Sequence, residues 1–313
     1  LFRSMGYPML PSTAPLAPIV CRTGSEPRQA KDALRRTVAA REYFETINFS
    51  FVEERWEREL AGVTNPIQLL NPIAAPLSVM RTSLIGSLVQ VLRHNQARRA
   101  TRVRVFELGR VFLPDAAQAD GPLEVAGLRQ PLRLAALAYG HAWDDQWGAS
   151  PRQVDFHDLK GDLESLLAPA AIRMEAARHP ALHPGRSARV LLEGRDIGWI
   201  GELHPRWQQK YEITEAPVIF EVDLAAIAVT GLPEYVKVSK FPPVYRDVAL
   251  IFDETTSHQV ILEAVQAEKP RTVVEFAVFD IYRGAGVENG KKSLAFRMLV
   301  QDTLKTMTDA EVD

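Results

Sequence analysis

The chain has 313 residues, 46% of them hydrophobic and 24% charged, with 37 Lys and Arg against 39 Asp and Glu and a formal net charge of −2. That is the composition of an ordinary soluble globular protein with room for two domains and sizeable cores, and its charge excludes global attraction to nucleic acid, so any such contact must come from local clusters. The single cysteine, Cys21, excludes an internal disulfide and a multi-cysteine zinc site. No apolar run approaches the roughly 20 residues that span a bilayer. The start, LFRSMGYPML, lacks the basic and long apolar regions of a signal peptide.

Residues 1–19 carry Pro8, Pro11, Pro15 and Pro18 and are expected as an extended connector. A helix is expected over 28–44, with Ala30, Leu34, Val38 and Ala39 on one side, followed by a strand in which Ile47, Phe49 and Phe51 alternate. Pro72 and Pro76 mark a loop. Thr82 or Ser83 then caps a helix carrying Leu84, Ile85, Leu88, Val89 and Leu92. Arg93, Arg98 and Arg99 gather at its end, where cations suit the helix dipole; that reading is preferred to a nucleic-acid contact. Strands are expected over 103–112, 133–139 and 217–224, a helix over 158–167, and a strand pair over 183–205 turning at Glu193-Gly194-Arg195-Asp196. Helices among hairpins imply an antiparallel-rich α/β core.

Towards the C-terminus the element order becomes β-α-β-β-α. Arg246–Phe252 alternates, with Val248, Leu250 and Phe252 on one side, and Ser257 opens a helix that Pro270 stops. The next strand places Phe279 and Ile281 on one face and Asp280 and Tyr282 on the other. In the third, Leu294, Phe296, Met298 and Val300 alternate with Ser293, Ala295, Arg297 and Leu299. Asp280, Tyr282, Ser293 and Arg297 are thus expected together on an open face, a platform for an unstacked base. Lys240, Arg246, Arg283, Lys291, Lys292, Arg297 and Lys305 form the candidate basic cluster, and the 283–292 loop flanks the platform where it can meet phosphates. Thr308 begins a further helix. The pattern is a ferredoxin-like split βαβ unit without its last strand, so the sequence reads as part of a longer protein.

Catalytic constellations are weak. Gly194, Gly198, Gly201 and Arg206 echo a nucleotide-binding strand, but their spacing is wrong and Trp199 and Glu202 intervene. His179 and His183 are four apart, but Pro180 and Pro184 break any shared helix. Asp144, Asp145, Asp155, His157 and Asp158 read as a polar loop rather than an acid–base cluster. No P-loop, Gly-x-Ser-x-Gly elbow or catalytic setting for Cys21 is present. No catalytic residue and no metal ligand is assigned.

Several motifs in order carry a family resemblance. Lys240-Phe241-Pro242-Pro243, Arg246-Asp247-Val248-Ala249, Phe279-Asp280-Ile281-Tyr282-Arg283-Gly284, Gly290 to Phe296 and Thr308 to Val312 resemble the ferredoxin-fold anticodon-binding domain that closes bacterial phenylalanine–tRNA ligase beta subunits. The resemblance implies that Tyr282 stacks on an anticodon base, with Asp280 and Ser293 hydrogen-bonding nearby; Arg283, Lys291, Lys292 and Arg297, from the basic cluster around the platform, complete the expected tRNA-binding set. FRSMGYPMLP resembles the exit from a helical, DNA-binding-like module. The runs FELGRVF and HPGRSARVLLEGRDIGWIGELHP resemble landmarks of the beta-subunit core, and the helix leading into ETINFSFV resembles the interface-forming first motif of class II synthetases. The implied fold class is α/β of the α+β kind. It comprises a module tail and linker (1–19), a non-catalytic class II synthetase-like core with an antiparallel sheet (20–232) and a ferredoxin-like βαββα(β) domain (237–313). The resemblance further implies a cytoplasmic assembly of two alpha and two beta chains acting on tRNA(Phe). ATP and magnesium belong to the whole enzyme, and no cofactor belongs to this part. A second reading is an ancillary RNA-binding or interaction protein that reuses both folds.

Overall fold

The computed structural model describes residues 31–228 and 237–308 continuously, with isolated positions at 4, 6, 9, 13, 14, 16–19, 235 and 311. Most of the proline-rich start, Cys21, Pro27 and Ala30, and Asp309, Ala310 and Val312 of the expected last helix, lie outside the described residues. The chain divides into two compact units, Leu1–Leu232 and Pro233–Asp313.

The first unit opens with α1 (Lys31–Ala39), β1 (Phe44–Glu45), β2 (Phe51–Val52) and α2 (Glu54–Trp56), which continues as a π-helical turn. Next come β3 (Val79–Met80), α3 (Ile85–Gln96), β4 (Val103–Arg110), β5 (Leu113–Pro114), β6 (Leu128–Arg129), β7 (Leu132–Tyr139) and α4 (Phe156–Leu167). The unit closes with β8 (Ile172–Ala176), β9 (Leu182–Leu192), β10 (Arg195–Leu203), α5 (Pro205–Lys210), β11 (Val218–Asp223) and α6 (Leu224–Ile227). Seven strands form one sheet in the order β1-β4-β7-β11-β10-β9-β8. Only the β1–β4 pairing is parallel.

The sheet is buried on both faces, which is why β7 reads as a nearly continuous apolar run rather than an alternation. Leu34 and Val38 of α1 and Leu159, Leu163 and Leu166 of α4 pack on one face with Phe106, Leu134 and Phe220. Leu84, Leu88 and Leu92, at and along α3, pack on the other with Val105, Leu137 and Ile219. The expected helix over 28–44 is α1 alone among the described residues. It stops at Ala39 because Glu42, three residues on, takes a left-handed conformation with φ 67°. Ile47 and Phe49 lie outside any strand, and both are exposed, at 95% and 67%.

Two local expectations take a different form. Neither Thr82 nor Ser83 is the N-cap of α3: the Thr82 amide and hydroxyl donate to the buried Glu57, and the Ser83 hydroxyl donates to Glu221 at 2.5 Å while accepting from Ile85 N–H at 3.1 Å. Asp155, grouped with the polar loop, is the N-cap of α4, and the helix expected from Asp158 begins two residues earlier, with Asp158 in its first turn. Asp155 accepts from the amides of His157 and Asp158, and Asp158 accepts from Asp155 N–H, a capping box. Arg152 lies 2.6 Å from Asp158 and holds its carboxyl below the usual range. These groups serve a helix end.

His179 and His183 share no helix. Each ring accepts at Nδ1 from the amide two residues on, Ala181 at 3.2 Å and Gly185 at 3.0 Å. His179 also lies against Trp199, ring centres 4.9 Å apart, and burial pushes its pKa down to about 4.

The second unit contains β12 (Val244–Asp253), α7 (His258–Glu268), β13 (Val273–Tyr282) and β14 (Lys291–Val300), with sheet order β12-β14-β13 and both pairings antiparallel. Ser257 caps α7 by accepting from Val260 N–H, and the helix ends at Glu268 ahead of Pro270. One sheet face packs Phe296, Leu294, Val248, Phe252, Phe276 and Val278 against Ile261 and Val265 of α7. Glu311 accepts from the amide and hydroxyl of Thr308, as the first turn of the expected last helix would require.

The depressed His179 pKa fixes a sign. Between about pH 6.5 and 4 the unfolded histidine takes a proton that the folded one refuses, so stability is full above that window and falls as pH drops through it, by up to about 3 kcal/mol. The five tryptophans, Trp56, Trp143, Trp147, Trp199 and Trp207, all lie in the first unit, so tryptophan emission during urea unfolding reports on that unit alone. His179→Asn keeps an acceptor for the Ala181 amide. It should flatten the pH dependence of the urea midpoint in this window; an unchanged dependence would assign it to another group.

Candidate nucleic-acid interface

Residues opposite each other in an antiparallel pair share a face. Tyr282 stands opposite Ser293, Asp280 opposite Ala295, and Asp247 of β12 opposite Arg297. The structure therefore brings Asp280, Tyr282, Ser293 and Arg297 to the sheet face away from α7. Tyr282 is 47% exposed there. Its hydroxyl donates to Ala285 O at 3.2 Å, and the ring lies over Gly284, where an added Cβ would come within 2.7 Å of Oη and 3.0 Å of Cζ. A hydrogen bond and a missing side chain together hold the ring in place.

One facing is corrected. The register passes from Val278–Phe296 directly to Asp280–Ala295, so Phe279 is the extra residue of a β-bulge. The bulge breaks the alternation and leaves Ile281 on the α7 side, opposite Leu294. Phe279 instead lies under the Arg297 guanidinium, 5.0 Å from ring centre to Cζ. Tyr245, opposite Leu299, extends the same outward face.

Of the expected cluster, Arg283, Arg297, Lys291, Lys292 and Lys305 contact acceptors within the protein. Arg283 forks onto Glu254, with Nη2 2.7 Å and Nε 3.1 Å from Oε1, and Arg297 forks onto Asp247 at 2.8 and 2.7 Å. Lys291 meets Glu288 at 2.6 Å, Lys292 donates to Glu254 O at 2.9 Å, and Lys305 pairs with Glu311. These hydrogen bonds hold the carboxyls of Glu254, Asp247 and Glu288 below their usual range. The Asp280 carboxylate accepts from Ile281 N–H at 2.9 Å. The face is thus nearly self-neutralised, with an aromatic surface between ion pairs.

In the first unit, the glycines that echo a nucleotide-binding strand serve strand packing. A Cβ on Gly198 would fall 2.0 Å from Glu221 O, and one on Gly201 2.8 Å from Arg186 O. The space that a nucleotide would require is filled by neighbouring backbone. The buried carboxylates beside it are also committed: Glu107 to Arg81 at 2.7 Å and Asn48 at 2.8 Å, and Glu221 to Arg133 at 2.6 Å and Ser83. These residues do not fit ATP or magnesium. Arg98 donates to His94 O at 3.0 Å and Arg93 to Tyr211 O at 3.2 Å, so both arginines satisfy backbone carbonyls.

Sequence reasoning missed Phe279, Tyr245, Gly284 and the counter-charges Asp247 and Glu254. Only the pairing of β12 with β14 could have revealed Asp247 as Arg297's partner.

Comparisons with known proteins cover both units. Residues 10–224 match the family described as the phenylalanyl tRNA synthetase beta chain CLM domain, and residues 239–313 match the ferredoxin-fold anticodon binding domain. The phenylalanine–tRNA ligase beta subunit of Burkholderia lata is 52% identical over 99% of this chain and 40% of its own length. That of Burkholderia pseudomallei is 50% identical over the same shares, as is that of Bordetella pertussis. Among solved structures, a pyrrolysyl tRNA synthetase of Desulfitobacterium hafniense is similar over 64% of this chain and 66% of its own, at TM-score 0.45 and 13% identity. The chain spans about two fifths of the length of the curated relatives it matches. With both units matched in order and half of all positions identical, the chain belongs to the phenylalanine–tRNA ligase beta subunit family.

Proposed function

We propose that this chain serves as the C-terminal part of a phenylalanine–tRNA ligase beta subunit, and that the outward face of β13 and β14 takes a base of the tRNA(Phe) anticodon loop. The observation that carries this is the Tyr282 ring, half-exposed on an open sheet and pinned over Gly284 beside Ser293. A ring held in this way loses little freedom on stacking. Asp280 and Ser293 supply edge hydrogen bonds, and Arg283, Lys291, Lys292 and Arg297 line the surrounding surface. Aminoacylation chemistry, with its ATP, phenylalanine and magnesium, is assigned to the alpha subunit in a cytoplasmic assembly of two alpha and two beta chains. The commitment of the first unit's glycines and carboxylates to packing supports that division.

The alpha contact is placed on the exposed apolar surface around Ile47 and Phe49. These residues line a groove of about 570 Å³ with Phe51, Trp56, Pro76 and Leu77. Phe44, Leu70 and Ile73 are also exposed. An apolar surface of this kind marks an association site.

Tyr282→Ala should weaken binding of tRNA(Phe) to the assembled enzyme by ~1–3 kcal/mol while leaving phenylalanine activation unchanged. Gly284→Ala should give a smaller loss by displacing the ring. Unchanged tRNA affinity in Tyr282→Ala removes the site assignment. Lys291→Ala with Lys292→Ala should lower the slope of log K against log salt by no more than about 1.4, the value for two single-strand phosphate contacts; an unaltered slope would make both lysines bystanders. Phe49→Asp should weaken association with the alpha subunit by ~2 kcal/mol or more, with the fold retained by circular dichroism. Normal co-elution of the two subunits would place the interface elsewhere.

A further inference from the structure

The bulge at Phe279 spends an aromatic residue on the open face. The unit's core is complete without it: Phe296 stacks on Phe276 at 4.6 Å and meets Phe252 edge-on at 6.2 Å. Phe279 remains 54% exposed. Its partner is equally specific. Arg297 lies over the ring at 5.0 Å, and its guanidinium is fixed by two hydrogen bonds to Asp247 at 2.8 and 2.7 Å. An arginine whose charge is balanced in this way is a poor phosphate anchor. It is a good flat surface, because the fork that neutralises it also sets its plane. Tyr245, 59% exposed, bounds the far side.

We propose that Phe279 and Arg297 form a second base-stacking station, distinct from Tyr282, and that the sheet holds two splayed nucleotides of single-stranded RNA. This rests on the reading of the same face as a tRNA contact and extends it. Phe279 is the unpaired residue between Val278, opposite Phe296, and Asp280, opposite Ala295, so it stands at least two residues along β14 from the Ser293 level of Tyr282. That separation is about 7 Å or more at the usual rise of a strand. It is at least about twice the 3.4 Å axial step between stacked nucleotides, so two bases seated here are unstacked from each other and each meets its own protein surface. Planar side chains of this type hold single-stranded bases without reading a duplex groove.

The test uses full-length beta subunit assembled with alpha, and a tRNA(Phe) transcript as probe. Phe279→Ala should raise Kd about 5- to 150-fold, the range for one lost base stack, with the salt slope unchanged. Arg297→Lys keeps the charge but loses the plane, and should also raise Kd at constant salt slope. Transcripts carrying single abasic positions in the anticodon loop separate the stations. The Phe279→Ala penalty should vanish at one position and the Tyr282→Ala penalty at a different one. Wild-type affinity in Phe279→Ala with a loss in Tyr282→Ala overturns the second station and leaves the first. The reverse result supports the second station and removes Tyr282. Wild-type affinity in both overturns the whole reading of the face. A Phe279→Ala loss accompanied by a reduced salt slope, or relieved at the same abasic position as Tyr282→Ala, also overturns the second station.

Discussion

The small C-terminal sheet has one helix to cover it among the described residues, and that asymmetry governs the rest. β14 is the central strand, paired along both edges, and Phe296 at its middle is fully buried among Phe276, Phe252 and Ile261. Because side chains alternate along a strand, fixing Phe296 inward fixes Ser293, Ala295 and Arg297 outward. A slip of one residue would bury Arg297 and expose the core phenylalanine. The register that stabilises the unit is therefore the register that presents the candidate site. Pairing carries the constraint to β12 and β13, placing Asp247 beside Arg297 and Tyr282 beside Ser293.

The larger unit meets the opposite requirement. Its sheet is covered on both faces, and the polar groups inside it must find partners there. Glu57, Glu107 and Glu221 are each nearly fully buried, and their donors are Thr82, Arg81 with Asn48, and Ser83 with Arg133. Burial pushes the Glu57 carboxyl up despite the Thr82 hydrogen bonds that oppose the shift. The ion pairs of Glu107 and Glu221 contribute little net stability, but each is costly to break singly. Glu57 and Glu221 fix how α3 enters the core, since they hold the residues immediately before it. Glycine has a comparable role in β10: Gly198 and Gly201 admit the backbones of β11 and β9. Residue types associated with nucleotide sites are here used to bring strands together.

Much of this was legible in the sequence, and the exceptions have physical causes. Alternation placed Tyr282 and Ser293 on one face because each stretch is regular next to its partner. It misplaced Phe279 because a bulge without glycine has no residue signature and exists only as a mismatch in count between two paired strands. The cations were visible as charges, but their partners were not. Asp247 and Arg297 are 50 positions apart and Glu254 and Arg283 are 29 apart, so pairing depends on the folded sheet. The helix opening at Asp158 was legible, but Asp155 reads as a loop residue because its acidity dominates the local pattern. The spacing of the two, followed by an apolar run, is also that of a capping box. The two-residue turn at Glu193 and Gly194, with φ of 51° and 77°, was readable because a glycine marks it.

On the proposed reading of the open face as an RNA contact, its self-neutralisation bears on selectivity. Attraction between lysines or arginines and phosphates is indifferent to sequence and supplies most non-specific affinity. A surface that couples Arg283 to Glu254 and Arg297 to Asp247 gives up much of that attraction, since a phosphate must compete with a carboxylate already in place. What remains are the rings of Tyr282, Phe279 and Tyr245 and a few edge donors and acceptors, which reward a base only when it has left its stack. A helical region of RNA offers no such base and meets a nearly neutral surface. A loop with splayed bases would meet aromatic planes already oriented by Gly284 and Arg297. Restraint in charge and provision of rings thus favour the same ligand, and each weakens binding to its competitors.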